Sequence, residues 1–246
     1  MVYALGAGDE IVANTAYSTY PEEAKKKPKV GGYFFVSLEK IIAQRPTVVL
    51  MQRNSLLLKP KLEQLGIKTK YIPLVSLKDI KKAITDIGKV LHKEKNAKKL
   101  QKKIDKALVS LKNIVKNKKI LIVFGSYFNL NSEIFISSNN TYFADIIRAS
   151  GNKNAFESNT KKQPVLSYEG LIATNADIVY ILTHDVFNKE TEKTLLLPWY
   201  KLPVNAAKQK TIYINTNAYA SVPSQRVVLF IKDFKRILED AKHRFK

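Results

Sequence analysis

The stretch SLEKIIAQRPTVVLM, from Ser37 to Met51, joins a short helical pattern to a strand pattern. Ser37 is suited to cap the helix, and Glu39 falls in the first turn, where the helix dipole favours a carboxylate. Pro46 ends the helical pattern, and the apolar run after it (Thr47–Gln52) is typical of a buried strand. The stretch therefore predicts one helix that leads directly into one strand.

The same unit returns 130 positions further along the chain, as SYEGLIATNADIVYI from Ser167 to Ile181. Serine, glutamate, isoleucine, alanine and valine recur at matching positions without a gap, and Glu169 takes the place of Glu39. Strand and helix patterns alternate in both halves of the chain, which is typical of parallel sheets covered by helices. The sequence therefore predicts an α/β fold with one such sheet in each half.

A lysine-rich segment, residues 89–117, separates the two halves. Its apolar residues recur at spacings of three and four, which places them on one stripe of a helix: Leu100, Ile104, Leu108, Leu111 and Val115. The lysines then cover the remainder of the helix as a solvated face. We expect one long helix that forms a stiff connector between an N-terminal lobe (1–88) and a C-terminal lobe (118–246).

Composition narrows the classes of protein that this chain can form. Its 246 residues are 45% hydrophobic, which is enough to bury cores, and no apolar run is long enough to predict a transmembrane helix. The absence of cysteine excludes disulfides, thiolate metal sites and a cysteine nucleophile. The short motifs of serine hydrolases, P-loop proteins and zinc proteases do not occur. We expect neither an enzyme nor a catalytic cofactor, and an α/β enzyme with a scattered site stays an alternative.

The chain carries a formal net charge of +21, which could attract an anionic partner. Only six of its 42 basic residues are arginine. Recognition of bases favours arginine, so the lysine excess indicates solvated helix faces more than a nucleic-acid site. We expect no nucleic-acid partner, and a basic nucleic-acid-binding protein is the alternative from another class.

The run TAYSTYPEEAKKKPKVGGYFFVSLEKIIAQRPTVVLM (Thr15–Met51) resembles the N-terminal lobe of a known family. It contains a Tyr-Pro turn, a Lys-Val-Gly-Gly-Tyr loop, the Ser-Leu-Glu-Lys-Ile helix start and a proline before the strand. This pattern is similar to that of the periplasmic substrate-binding proteins that serve ABC importers of cobalamin, haem and iron–siderophore complexes. The resemblance covers most of residues 1–90, and the second half matches through SYEGLIATNADIVYI and the Val-Pro-Ser-Gln-Arg that precedes the last helix (Val222–Arg226).

The resemblance implies two Rossmann-like lobes with parallel sheets, joined by one long helix and holding the ligand between them. It further implies a periplasmic protein that works with an ABC permease and its ATPase, and we expect a monomer. Family members carry an export signal and a strand before the point that Met1 matches. We therefore expect the first strand of the N-terminal lobe to be missing, through a truncated or internal start.

The resemblance places the loop after Gly31-Gly32 in the ligand cleft, and aromatic side chains there could stack on a porphyrin, corrin or catecholate: Tyr17, Tyr20, Tyr33 and Phe34. Ligands of parallel sheets bind beyond the carboxyl ends of the strands, which adds the post-strand residues Arg53, Tyr127, His184 and Tyr219. Arg53, and Arg226 at the start of the last helix, could each pair with an anionic chelate. Imidazole can bind haem iron or complete a ferric site, so His184 is also a candidate metal ligand.

Glu39 and Glu169 match the acidic residue that, in this family, docks each lobe onto arginines of the permease. Charge-assisted pairs of this kind orient two partners and speed their association. For the ligand we expect an iron complex, either a siderophore or haem, because the chain is basic and these chelates are usually anionic. Cobalamin is the alternative within the family, since the N-terminal motifs do not separate the three ligands.

Overall fold

The structure, a computed structural model, describes residues 1–158, 163–185 and 188–245 of the chain. The chain divides into two compact units, of which the first comprises Met1–Leu74 with Asp79–Gln101 and the second comprises Val75–Lys78 with Lys102–Lys246. Parallel strands and helices alternate in each unit. This arrangement confirms the α/β class that the repeated stretch predicts. No helix in the described part of the chain combines the length and apolar character needed to span a membrane.

The first unit is built on two short parallel strands. Its elements are helices α1 (Glu22–Lys25) and α2 (Leu38–Ala43), strand β1 (Val48–Met51), helix α3 (Lys59–Gln64) and strand β2 (Lys68–Tyr71). Val48 lies opposite Lys68, and Met51 lies opposite Tyr71. This unit has a small buried core, made of Val30, Ile41, Met51 and Leu62. The described residues of this unit thus contain a two-stranded parallel sheet.

Two helices follow β2, namely α4 (Leu77–Val90) and α5 (Glu94–Val109). Helix α5 lies inside the segment for which the sequence predicts the connecting helix, and residues 91–93 separate it from α4. Of the predicted apolar stripe, Ile104 is buried on α5, Leu100 and Leu108 are half-buried, and the lysines of α5 are exposed. The helix ends at Val109, so Leu111 and Val115 lie beyond it and the prediction of one helix as far as residue 117 is wrong. The role of this helix as a connector, and the lobe boundaries at 88 and 118, stay predictions.

The second unit has a four-stranded parallel sheet with the strand order β5-β3-β7-β8. The strands are β3 (Lys119–Phe124), β5 (Lys153–Asn154), β7 (Ile178–Leu182) and β8 (Ile212–Asn215), and the short strands β4 (Ile134–Phe135) and β6 (Val165–Leu166) pair antiparallel beside them. The helices are α6 (Tyr142–Ala149), α7 (Tyr168–Thr174), α8 (Lys189–Tyr200), α9 (Asn205–Lys208) and α10 (Val227–Arg244). The central strand β7 is buried along its whole length, as expected of a strand covered on both faces.

The repeated stretch forms the predicted helix and strand in both units. Helix α2 leads into β1 and helix α7 leads into β7. The hydroxyls of Ser37 and Ser167 accept hydrogen bonds from the backbone N–H groups of Lys40 and Gly170, each at 3.2 Å, so both serines are N-caps. Arg45 and Asn175 occupy matching positions of the repeat, just past the two helices, and both have a left-handed backbone, with φ of 47° and 39°. The repeat therefore extends from the cap of the helix to the turn before the strand.

Candidate ligand and docking surfaces

An exposed aromatic cluster lies in the first unit. The ring centroids of Tyr17 and Tyr33 are 6.2 Å apart, and those of Tyr33 and Phe34 are 5.0 Å apart, both in edge-to-face orientation. Tyr17 is 73% exposed and Phe34 is 74% exposed, so these rings do not belong to the core. We call Tyr17, Tyr33 and Phe34 the aromatic cluster. Ring faces held in this way are available to stack against a planar apolar ligand.

Glycine shapes the loop that presents this cluster. Gly31 has φ of 142°, and a Cβ at this position would lie 2.2 Å from the carbonyl oxygen of Phe35. The N–H of Gly32 donates to the same carbonyl at 2.8 Å, which closes a tight turn with Tyr33 and Phe34 at its tip. The loop therefore needs glycine at position 31, because any side chain there would collide with the turn.

The turn after β1 is connected to the same loop. The side-chain amide of Asn54 donates to the backbone carbonyl of Tyr33 at 3.1 Å, and Arg53, next to Asn54, is exposed. Two apolar residues that sequence reasoning missed are also exposed here, Phe35 by 86% and Leu57 by 90%. The sequence could have indicated both residues, because Phe35 is an apolar residue in the loop after Gly31-Gly32 and Leu57 is one in the segment after β1. Tyr20 is exposed as well and precedes a cis peptide bond to Pro21.

In the second unit, three loops meet beyond the carboxyl ends of β3, β7 and β8. The hydroxyls of Ser126 and Thr183 share a hydrogen bond, which joins the first two loops. His184 is exposed, and its Nδ1 lies 3.4 Å from the carbonyl oxygen of Thr216 on the third loop. The described residues contain no group of three or more His, Asp or Glu that could hold a metal ion. A metal role for His184 stays a prediction.

The hydroxyls of the two candidate tyrosines in this unit are already hydrogen-bonded. Tyr127 is half-buried, and its hydroxyl oxygen accepts from the N–H of Phe135 at 2.9 Å. The Tyr219 hydroxyl donates to Asp233 at 2.6 Å. Burial, followed by this hydrogen bond to a carboxylate, raises the pKa of Tyr219 to about 12. Tyr219 is therefore protonated at neutral pH, and a phenolate contact to a metal would first require breaking this bond.

Asp233 is a buried carboxylate that sequence reasoning missed. It is 6% exposed and accepts hydrogen bonds from the Tyr219 hydroxyl, the Asn215 amide at 3.1 Å and the Arg236 guanidinium. It thus ties the loop after β8 to helix α10. The signal in the sequence was an acidic residue on the apolar face of α10, between Phe230 and Phe234. A surface depression of about 340 Å³ lies beside this network and is lined by Tyr180, Tyr213, Asn215, Thr216, Asp233 and Asp240.

The two candidate docking glutamates occupy equivalent places in their units. Glu39 and Glu169 are both exposed in the first turn of a serine-capped helix. The backbone N–H of Glu169 itself, and then the Ser167 hydroxyl, lower the pKa of the Glu169 carboxyl. At neutral pH this carboxylate is therefore ionised, as docking onto a cationic partner would need. Arg226 is half-buried just before α10, and its N–H donates to the Ser224 hydroxyl at 3.2 Å.

The chain is similar to several known proteins. The sequence profile of the family described as "Periplasmic binding protein" matches residues 1–218. The vitamin B12-binding protein of Vibrio vulnificus strain YJ016 is 26% identical over 240 residues, which cover 94% of this chain and 83% of that protein. The high-affinity heme uptake system protein IsdE of Staphylococcus aureus strain Newman is 24% identical over 211 residues, covering 81% and 70% of the two chains.

A solved structure shares the fold. The periplasmic vitamin B12 binding protein BtuF of Vibrio cholerae superposes with a TM-score of 0.79 at 17% identity, and the match covers 98% of this chain and 92% of that one. At this level of identity the likeness concerns the fold alone. Because the family profile extends over nearly the whole chain and the fold agrees, this chain belongs to the periplasmic binding protein family.

Proposed function

We propose that this chain is the substrate-binding component of an ABC importer, which captures a metal chelate in the periplasm and delivers it to a membrane permease and its ATPase. Membership of the periplasmic binding protein family supports this reading. The aromatic cluster is the observation in the molecule that carries it. Two of its rings, Tyr33 and Phe34, are held at the tip of a glycine-dependent turn and the third, Tyr17, packs edge-on against Tyr33. All three are exposed outside the core and suit a flat ligand with an apolar face.

Two ligands are candidates, and a different relative favours each. The heme uptake protein IsdE supports haem, and haem also agrees with the preference for anionic chelates that the net charge of +21 indicates. The vitamin B12-binding protein supports cobalamin and has the longer alignment. A ferric siderophore is the third chelate to include, since a catecholate face could stack on the same rings. We place haem first because its flat porphyrin suits the aromatic cluster and its negative charge suits a chain with a net charge of +21.

Removal of the aromatic cluster tests this proposal. We expect the double variant Tyr33→Ala, Phe34→Ala to bind its chelate at least tenfold more weakly, or about 1.4 kcal/mol, because two stacking faces are lost. Titration of haem, cobalamin and a ferric siderophore, followed by tryptophan fluorescence and by the Soret band, measures the affinity. Leu65→Ala is the control, because Leu65 is 55% exposed and lies before the amino end of β2. The aromatic cluster, in contrast, is linked to the segment that follows the carboxyl end of β1.

Two outcomes of this titration carry further meaning. Binding of none of the three chelates by the unaltered chain contradicts the ligand proposal. For haem, a Soret shift that is lost in His184→Ala assigns the imidazole as an iron ligand, and a shift that survives excludes it. Tyr17, Tyr20, Arg53, Tyr127, Tyr219 and Arg226 stay candidates whose alanine variants can be compared in the same titration.

Delivery to the permease makes a separate prediction about Glu39 and Glu169. We expect the double variant Glu39→Ala, Glu169→Ala to keep its affinity for the chelate and to lose at least nine tenths of import in reconstituted vesicles. The reason is that an exposed carboxylate is removed from each unit while the core and the aromatic cluster are unchanged.

A matched control separates docking from the effect of the helix dipole. Glu22 and Glu190 are also exposed glutamates in the first turns of helices, α1 and α8. Their alanine substitutions remove the same charge from the first turn of a helix. We expect the double variant Glu22→Ala, Glu190→Ala to import normally. Equal import by both double variants contradicts the docking role.

A further inference from the structure

Six lysines of helix α5 lie on one face of that helix: Lys95, Lys98, Lys99, Lys102, Lys103 and Lys106. With about 100° between successive residues of an α-helix, they fall within an arc of about 140°. The arc is centred opposite the buried side chains of Ala97 and Ile104. All six lysines are exposed. We call this face the α5 lysine stripe.

The stripe carries positive charge with no carboxylate inside it. The two acidic residues of α5, Glu94 and Asp105, lie to one side of the arc. Elsewhere some lysines have partners, such as Lys82 with Asp86 at 2.6 Å and Lys235 with Glu239 at 2.7 Å. Among the ion pairs found in the described part of the chain, none includes a lysine of the stripe.

This arrangement opposes helix formation. Like charges four residues apart on a helix destabilise it, and the stripe repeats that spacing at 95 and 99, 98 and 102, 99 and 103, and 102 and 106. A polyanionic partner lying along the helix would relieve the repulsion of all these pairs together. The stripe is therefore suited to an extended anionic surface more than to a single small anion.

We propose that the α5 lysine stripe binds the surface of a bilayer rich in anionic phospholipid. The stripe consists of lysine alone, a flexible point charge that suits the diffuse potential of lipid headgroups. It has no arginine to read base edges and no aromatic ring on which bases could stack, and nucleic-acid sites use both. Its length, about 16 Å along the helix axis, allows several headgroups to be contacted at once.

Vesicle binding by the full chain tests the proposal. We expect the chain to sediment with vesicles made of a mixture of phosphatidylglycerol and phosphatidylcholine, and not with vesicles of phosphatidylcholine alone. Binding to the mixed vesicles should weaken as the salt concentration is raised. Each lysine near an anionic bilayer increases partitioning roughly fivefold. The variant Lys95→Gln, Lys99→Gln, Lys102→Gln, Lys106→Gln should therefore bind at least tenfold more weakly. Glutamine is as good a helix former as lysine, so the melting temperature should not fall.

A second variant keeps the test specific to the stripe. Lys61, Lys153, Lys201 and Lys208 are exposed and lie outside α5, and their replacement by glutamine changes the net charge equally. We expect this variant to lose less than about threefold in vesicle binding. An equal loss in the two variants would assign the effect to net charge and overturn the proposal. Tighter binding to duplex DNA than to phosphatidylglycerol vesicles at the same ionic strength would also overturn it.

Discussion

Replacing Phe230 by alanine is expected to lower the free energy of unfolding of the second unit by about 4 kcal/mol. The Phe230 ring on helix α10 is 1% exposed, and its centroid lies 5.0 Å from that of Phe143 on α6 and 5.8 Å from that of Tyr180 on β7. It also stacks on Phe234, one turn further along α10, at 6.0 Å. Removal of the ring would leave a cavity between two helices and the sheet, which rigid neighbours cannot fill.

Urea unfolding followed by tryptophan fluorescence measures this loss. Trp199 is the only tryptophan of the chain and is fully buried in the second unit, so its emission reports the unfolding of that unit. Leu197→Ala is the control, because Leu197 on α8 is 57% exposed and its truncation should cost less than about 0.5 kcal/mol. A loss below about 1 kcal/mol for Phe230→Ala would mean that α10 does not hold the core in this way.

Asp233→Ala is expected to destabilise the second unit by about 3 kcal/mol. The substitution leaves the Asn215 amide and the Tyr219 hydroxyl without the acceptor that they share, and both groups lie in or against the core. The free energy of unfolding, measured by urea with the fluorescence of Trp199, gives the size of the effect. Asp233→Asn should cost less than the alanine variant, because the amide oxygen can still accept a hydrogen bond.

Helix α10 offers a matched control for this carboxylate. Asp240 accepts from the Tyr213 hydroxyl at 2.6 Å and from Arg244 at 2.5 Å, so its partners are of the same types as those of Asp233. Its side chain is 46% exposed, compared with 8% for Asp233. We expect Asp240→Ala to cost no more than about 1 kcal/mol, since water can replace the lost acceptor. Equal losses at the two positions would show that burial of Asp233 is not the cause.

Because of the same network, the free energy of unfolding of the second unit is expected to fall at alkaline pH. Burial, and then the bond to Asp233, raise the pKa of Tyr219 from its ordinary value near 10 to about 12. A group whose pKa is higher in the folded state than in the unfolded state stabilises the fold fully at any pH below the unfolded-state pKa. The contribution of Tyr219 is therefore present below about pH 10 and disappears as the pH rises through about 12. In Asp233→Asn, titration of the phenol absorbance should show a lower Tyr219 pKa.

Local features of this fold were predictable from the sequence because they depend on near neighbours. The two serine caps, the helices after them and the strands follow from residue type and periodicity within about 15 positions. The predicted burial holds for all of β7, whereas β1 is buried only at Met51 and half-buried elsewhere. A left-handed backbone is favourable for asparagine, so the turn at Asn175 could also be expected from its residue type. Arginine does not favour this conformation, and the turn at Arg45 could be inferred only from its match to Asn175 in the repeat. The sequence likewise pointed to the loops in which Tyr33, Phe34 and His184 lie.

The sequence is enough to predict the α/β class, the repeated helix-and-strand unit and the lysine face of α5, because each depends on residues only a few positions apart. The three-dimensional structure is needed to show that Tyr17 packs against Tyr33, and that Asp233 accepts a hydrogen bond from the Tyr219 hydroxyl. These contacts join segments that are separate in the chain, and which segments meet depends on how helices pack on sheets. Periodicity shows which side of a helix or strand is buried, but the residues that this side contacts depend on how the elements pack in three dimensions.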